Sequence, residues 1–347
     1  MKIVIDEKIP YLRDALSAMG HNVLALPGVA ISSKDVKDAS ALFVRTRTMC
    51  NEVLLAGSAV RFIGTATIGY DHIDASYCVA TGVEWANASG CNADAVLQYV
   101  QAVIYSWAKE RAVSLEWLTL GIVGVGEIGS RVARWAASEG MRLLLNDPPR
   151  EAAGGAGFVP LERIAEECDI ITFHPTLNVG GDFPSLHLAD DAFFARMKRC
   201  RLFINASRGP VVDNVALLRA MENNASLDVA LDVWEGEPDV NPSLLNKVYI
   251  ATPHIAGYSA EGKMNATRMV LTSFCKHFDC THLLPSLALP APAQPNIEAS
   301  SFADAVLKIY NPHSDSRALK QSPHLFEDLR NNYNLRRENS AFNIKIG

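Results

Sequence analysis

The 347-residue sequence predicts an α/β protein built on doubly wound parallel sheets. Three observations predict it. Short apolar runs alternate with helical stretches through the first hundred residues, a second such series starts at Leu118, and a glycine-rich turn joins a strand to a helix inside that second series. At roughly 150 residues per domain, the length suggests two to three domains. With 49% hydrophobic and 20% charged residues, the composition is that of ordinary globular proteins and excludes disordered and disulfide-scaffold chains.

In chain order, strands are expected at 3–5, 23–26, 41–44 and 62–63, with a helical stretch over 11–19 ended by Gly20. Residues 96–112 read as one long apolar helix, with Val96, Val100, Val103, Ile104 and Trp107 at mixed three and four spacing. The run Leu118-Thr-Leu-Gly-Ile-Val-Gly124 is a strand, 127–139 a helix with Gly140 as its stop, and 142–146 the next strand. Further strands are expected at 170–173, 201–205, 227–232 and 248–251, and a helix over about 259–278 can carry the chain back to the N-terminal domain. Pro285, Pro290, Pro292 and Pro295 stiffen a linker over 283–296. Beyond it, two short helical patterns, 302–310 and 325–333, form a unit too small to bury much surface alone, so it needs something to pack on.

Charge and cysteines narrow the function. The 32 Lys and Arg against 38 Asp and Glu give a net charge of -6, which offers phosphate backbones no attraction and makes nucleic acid an unsuitable partner. The seven cysteines contain no C-x-x-C pair, which points to reduced thiols in a cytoplasmic protein, and no metal site is expected. Asp6 interrupts the N-terminal apolar run, and no later stretch approaches ~18 uncharged apolar residues, so neither a signal peptide nor a membrane span is expected.

Gly124-Val-Gly126-Glu-Ile-Gly129 follows a strand and opens a helix, the context a dinucleotide fingerprint needs. The first glycine permits the turn, the second lets a pyrophosphate approach the backbone, and the third allows close helix-to-strand packing. The following strand ends in Asn146-Asp147, where an acid accepts from the adenosine ribose hydroxyls and repels a 2′-phosphate. NAD is therefore the expected cofactor. Arg208, Glu237 and His254 each follow a strand of the second series, where ligands of open α/β sheets bind. Oxidising a 2-hydroxy acid needs these groups: a planar cation to fork onto the substrate carboxylate, a base for the hydroxyl proton, and a carboxylate to orient that base. Asp232 is placed to hydrogen-bond the nicotinamide. Hydroxyls at Thr46, Thr67 and Tyr258 with cations at Arg45 and Arg47 suit a phosphorylated sugar acid.

These segments resemble the D-isomer-specific 2-hydroxyacid dehydrogenase family, whose Arg, Glu and His map onto Arg208, Glu237 and His254. The resemblance runs from residue 1 to about 280. It is carried by Phe43-Val-Arg45-Thr46, by Gly64-Thr-Ala-Thr67 through Asp74, by Gly90-Cys-Asn92, by Asp147-Pro-Pro-Arg150, by Leu186-His-Leu-Ala-Asp190, by Asp232 through Pro238, and by Pro253 through Tyr258. It implies that Thr46, Thr67 and Tyr258 contact substrate and that Asp147, Thr176, Asp232 and Gly257 contact NAD. The family's His-Thr-Pro stands here as His174-Pro175-Thr176. It also implies a Rossmann NAD domain, 98–255, inserted into a split flavodoxin-like substrate domain, 1–97 and 256–284. The remaining linker and small unit, 285–347, would form a dimerisation domain and make the protein a homodimer. The triad itself does not choose among phosphoglycerate, glyoxylate and hydroxypyruvate chemistry. A corepressor-like NADH-sensing protein would keep the fold without turnover, and the intact triad argues against it.

Overall fold

The computed structural model describes residues 1–347 and resolves two compact units, Met1–Asn92 with Ser259–Ala291, and Ala93–Tyr258 with Pro292–Gly347. In the first, β1 (Lys2–Asp6), β2 (Asn22–Leu26), β3 (Ala41–Val44), β4 (Phe62–Thr65) and β5 (Glu84–Asn87) form an all-parallel sheet in the order β2-β1-β3-β4-β5. That is the flavodoxin-like order. Ile3, Phe43 and Phe62 pack on one face with Val270 and Phe274 of the helix Ala260–His277, while Val4, Leu42 and Ile63 fill the other face. A sheet covered on both faces needs continuous apolar strands, which is why Ala-Leu-Phe-Val was legible as β3.

In the second unit, β6 (Thr119–Val123), β7 (Arg142–Asn146), β8 (Ile170–Phe173), β9 (Leu202–Asn205), β10 (Asp228–Leu231) and β11 (Ile250–Ala251) make a parallel sheet in the order β11-β10-β9-β8-β6-β7. The strand order reverses at β6, between β7 and β8, and the crevice beyond the carboxyl ends at such a point is where ligands bind. The helix Ala93–Arg111 buries every residue from Tyr99 to Ala108. One side of it shares a core with the sheet residues Leu120, Ile122, Leu202 and Ile204, and the C-terminal residues Val306 and Tyr310 belong to the same core.

The C-terminal segment holds more structure than its sequence suggested. Besides helices at Phe302–Ile309 and Phe326–Asn331, it contains a helix Pro312–Gln321 and a two-stranded parallel pair, β12 (Asn296–Ala299) with β13 (Asn343–Ile346). The sequence-based division sets 285–347 apart, whereas residues 292–347 pack as part of the second unit, with Leu319 and Phe326 in its core. No disulfide joins any of the cysteines, and no helix is long and apolar enough to cross a membrane.

Candidate active site

The glycine turn is built by close contacts. Gly124 has φ +82, and a side chain there would meet the backbone of His174 and Pro175 at 2.5–2.7 Å. A Cβ on Gly129 would lie 2.1 Å from the Gly124 carbonyl, so only glycine lets the helix Glu127–Ser138 start this close to the strand. A Cβ on Gly126 would meet nothing within 4 Å. It borders a cavity of about 440 Å³ lined also by Gly124, Asp147, Pro148, His174 and Thr176. The cavity is of ligand size, and the Gly126 backbone at the helix start is the cradle a pyrophosphate needs.

Asp147, at the end of β7, is 9% exposed. Its Oδ2 accepts from Val125 N at 2.7 Å and its Oδ1 from Arg150 N at 3.0 Å, so the carboxylate locks the glycine turn as well as facing the cavity. The Arg150 guanidinium is turned back onto the Val125 carbonyl. Thr176 lines the cavity, and its carbonyl accepts from Ser185 Oγ at 2.5 Å. The cradle and the acid together fit NAD.

The residues expected to be catalytic, Arg208, Glu237 and His254, lie on three loops of the same sheet. Asn205 ends β9, accepts from Ser207 N and Ser207 Oγ at 3.1 and 2.8 Å, and donates to the Arg208 carbonyl at 3.0 Å, which shapes the turn that leaves Arg208 exposed. Gly209 allows a contact nothing larger would: a Cβ there would sit 2.0 Å from the Trp234 carbonyl. The Arg208 turn is therefore pressed against the Asp232–Pro238 loop. Within that loop, Glu237 Oε2 accepts from Trp234 N at 3.2 Å, and Trp234 Nε1 reaches the Thr252 carbonyl at 3.0 Å, tying it to the third loop.

Glu237 Oε1 meets His254 Nδ1 at 2.5 Å, both side chains about three-quarters buried. Burial pushes the Glu237 carboxyl up, but the bonds from His254 and Trp234 N and the nearby Arg330 outweigh it and hold the group below its ordinary range. His254 adopts φ +57, a left-handed conformation uncommon for a residue with a side chain. Asp232 makes that turn possible. Its backbone carbonyl accepts from His254 N at 2.7 Å, and its carboxylate accepts from Ile255 N, Ala256 N and Thr252 Oγ1 at 2.8, 2.9 and 2.7 Å. Fully buried, the carboxyl is pushed above its usual range by desolvation despite those bonds. Asp232 thus holds the loop that carries His254, Gly257 and Tyr258, a structural role the sequence did not reveal.

Sequence reasoning also missed the C-terminal arginines. Arg330 Nε donates to Tyr258 Oη at 3.3 Å, and its Nη1 lies 4.0 Å from Glu237 Oε1. Nothing in the local sequence around Arg330 signals this.

In the first unit, Arg45 and Thr46 follow β3, and Thr67 follows the adjacent β4. They stand at the carboxyl ends of neighbouring strands, bridged by the bond from Ala66 N to the Val44 carbonyl at 3.0 Å. Thr67 Oγ1 donates to the Gly69 carbonyl at 2.8 Å and shares a 2.6 Å bond with Thr65, whose hydroxyl meets His72 Nε2 at 2.8 Å. Burial lowers the pKa of His72, which favours a neutral imidazole beneath this strand end.

Fold and site define an NAD-dependent dehydrogenase. Residues 92–256 match the NAD-binding domain of the D-isomer specific 2-hydroxyacid dehydrogenases, and residues 283–347 match a domain of unknown function. A protein of Bacteroides thetaiotaomicron named erythronate-4-phosphate dehydrogenase is 52% identical over 99% of both chains, and one of Enterobacter sp. with the same name is 41% identical over 99% of this chain and 94% of its own. Among solved structures, D-lactate dehydrogenase from Aquifex aeolicus, in complex with NAD and lactic acid, matches with TM-score 0.60 at 23% identity, covering 82% of this chain and 97% of its own. NAD-bound 3-phosphoglycerate dehydrogenase of Entamoeba histolytica matches at 0.62 and 23%, covering 83% and 99%; at such identities the likeness concerns the fold. The chain belongs to the erythronate-4-phosphate dehydrogenases, within the D-isomer-specific 2-hydroxyacid dehydrogenase family.

Proposed function

We propose that the protein oxidises 4-phospho-D-erythronate to 2-oxo-3-hydroxy-4-phosphobutanoate in pyridoxal 5′-phosphate (vitamin B6) biosynthesis. The observation that carries this reading is the Glu237–His254 pair at 2.5 Å on the sheet that also bears the dinucleotide cradle, in a chain 52% identical to a relative named for that activity. NAD, when bound, accepts the hydride from C2. Arg208 forks onto the substrate carboxylate. With Nδ1 held by Glu237, the nitrogen of His254 left to take the hydroxyl proton is Nε2, and Glu237, held ionised, stabilises the imidazolium that forms. Gly124, Gly126, Gly129, Asp147, Thr176 and Gly257 hold the cofactor, with Asp232 acting through the loop.

Arg45, Thr46, Thr67 and Tyr258 contact the phosphorylated substrate in this reading, a cation and three hydroxyls that suit its anionic groups. The functional division is a substrate domain, 1–97 and 256–284, an NAD domain, 98–255, and a C-terminal segment, 285–347, through which a cytoplasmic homodimer assembles.

The test follows NAD(H) absorbance with erythronate 4-phosphate, glycerate 3-phosphate and glyoxylate side by side. A clear preference for the first is expected. Preference for either other substrate moves the enzyme to a neighbouring activity of the family, and no absorbance change with any of them while NADH still binds defeats the dehydrogenase reading.

A further inference from the structure

The segment that matches a domain of unknown function grips the catalytic loop with two arginines. Arg336 is buried, and its five N–H groups meet five acceptors. Nε donates to Gln98 Oε1 at 2.9 Å, Nη1 to the carbonyls of Ile255 and Tyr258 at 2.8 and 3.1 Å, and Nη2 to those of Ala95, at 2.9 Å, and Ala256. Its guanidinium stacks on Tyr310, 4.5 Å from the ring centre. A lysine cannot copy this fork.

Arg330, on the helix Phe326–Asn331, works beside it. Its Nη1 approaches Glu237 Oε1, the same oxygen that holds His254 Nδ1, and its Nε holds the Tyr258 hydroxyl. Glu327, on its own helix, lies 3.8 Å away and offsets part of the charge. The groups facing the imidazole and its carboxylate from the packed elements are thus Glu237, the buried Asp232, Arg330 with Glu327, and the Tyr258 phenol.

We propose that the C-terminal segment is a built-in part of the active site, in which Arg336 fixes the backbone of residues 255–258 and Arg330 is a positioning residue that sets the Glu237–His254 pair and the Tyr258 ring. This deepens the dehydrogenase reading and rests on it for the role of His254. Arg330 is among the groups that hold the Glu237 carboxyl below its ordinary range, so its removal lets that carboxyl rise and takes away the bond to the Tyr258 hydroxyl.

The experiment titrates the Glu237 side-chain carboxyl by carbon NMR in the full-length apoenzyme, which needs no substrate and so stands apart from the outcome of the substrate assay. In Arg330→Met the midpoint should rise by about half to one pH unit, while Arg330→Lys returns most of the way to wild type. In Arg330→Met kcat/KM should fall several-fold for whichever substrate the enzyme prefers, with NADH affinity little changed. A second variant, Arg336→Lys, should speed amide exchange at Ile255 and Ala256 while the β6–β8 amides stay protected. An unmoved Glu237 titration in a folded Arg330→Met protein, or exchange in Arg336→Lys rising equally across the whole sheet, overturns the proposal.

Discussion

His174 gives the unit a built-in sensitivity to acid. It follows β8 at the cavity wall, its Nε2 bonded to Thr172 Oγ1 at 2.9 Å and its Nδ1 buried without a partner. Burial drives its pKa from 6.5 down to about 3, so the folded protein keeps it neutral. Above pH 6.5 neither state is protonated and the full stability is present. As the pH falls from 6.5 towards 3, the unfolded chain takes up a proton that the folded chain refuses, and stability is lost. At about pH 5 the unfolded imidazole is roughly 1.5 units below its pKa, and at 1.36 kcal/mol per unit the loss is about 2 kcal/mol. The folded value lies so far below pH 5 that its precise position hardly enters. His174→Gln supplies a neutral amide able to reach Thr172 and removes the titration. Urea unfolding of both apoproteins at about pH 7.5 and pH 5, followed by circular dichroism, isolates the effect because the other titrating groups are common to both. Wild type should lose about 2 kcal/mol more than the variant between the two conditions. Parallel losses within ~0.5 kcal/mol would refute the reasoning.

Three further outcomes are expected. Asp147→Asn removes the charge facing the cavity while keeping one acceptor for Val125 N or Arg150 N, and the kcat/KM preference for NAD over NADP should fall by about tenfold or more; an unchanged ratio removes the role of that carboxylate. His254→Ala should lower turnover by about 100-fold or more with NADH affinity, read by fluorescence titration, within a few-fold of wild type, whereas equal losses would make the residue structural. Gly209→Ala drives a Cβ into the Trp234 carbonyl at 2.0 Å and should cost about 1–3 kcal/mol in urea unfolding together with a rise in substrate KM as the Arg208 turn is displaced; wild-type values for both would mean the two loops do not depend on that contact.

What the sequence disclosed and what it concealed divide along a physical line. Strands such as Ala41–Val44 and Ile170–Phe173 are buried on both faces, so burial writes a continuous apolar run into the chain. The glycine turn is legible because backbone contacts under 3 Å exclude every other residue at Gly124 and Gly129. The helix Pro312–Gln321 escaped because its sequence, Pro-His-Ser-Asp-Ser-Arg-Ala-Leu-Lys-Gln, is mostly polar, with Leu319 in the core and Ser316 Oγ accepting from Ala251 N at 3.0 Å. Strands β12 and β13 pair across more than forty residues, beyond any local pattern. Arg336 binds mainly backbone carbonyls, and a carbonyl carries no residue identity for the sequence to display.

The loop after His254 shows why these concealed partners matter to the chemistry. Asp232 accepts the N–H groups of Ile255 and Ala256, while Arg336 donates to the carbonyls of the same two residues. The backbone N–H and carbonyl of two successive residues are therefore held by buried side chains of opposite charge. A left-handed residue costs on the order of 1–3 kcal/mol, and charge-assisted hydrogen bonds contribute about 1.5–3 kcal/mol each, so the two clamps together can hold His254 at φ +57 without help from a ligand. Each clamp also depends on the other, because removing one charge leaves its counterpart buried and less well compensated. In the proposed reaction the consequence is a base presented on a rigid loop before substrate arrives, with the C-terminal segment supplying one half of that rigidity.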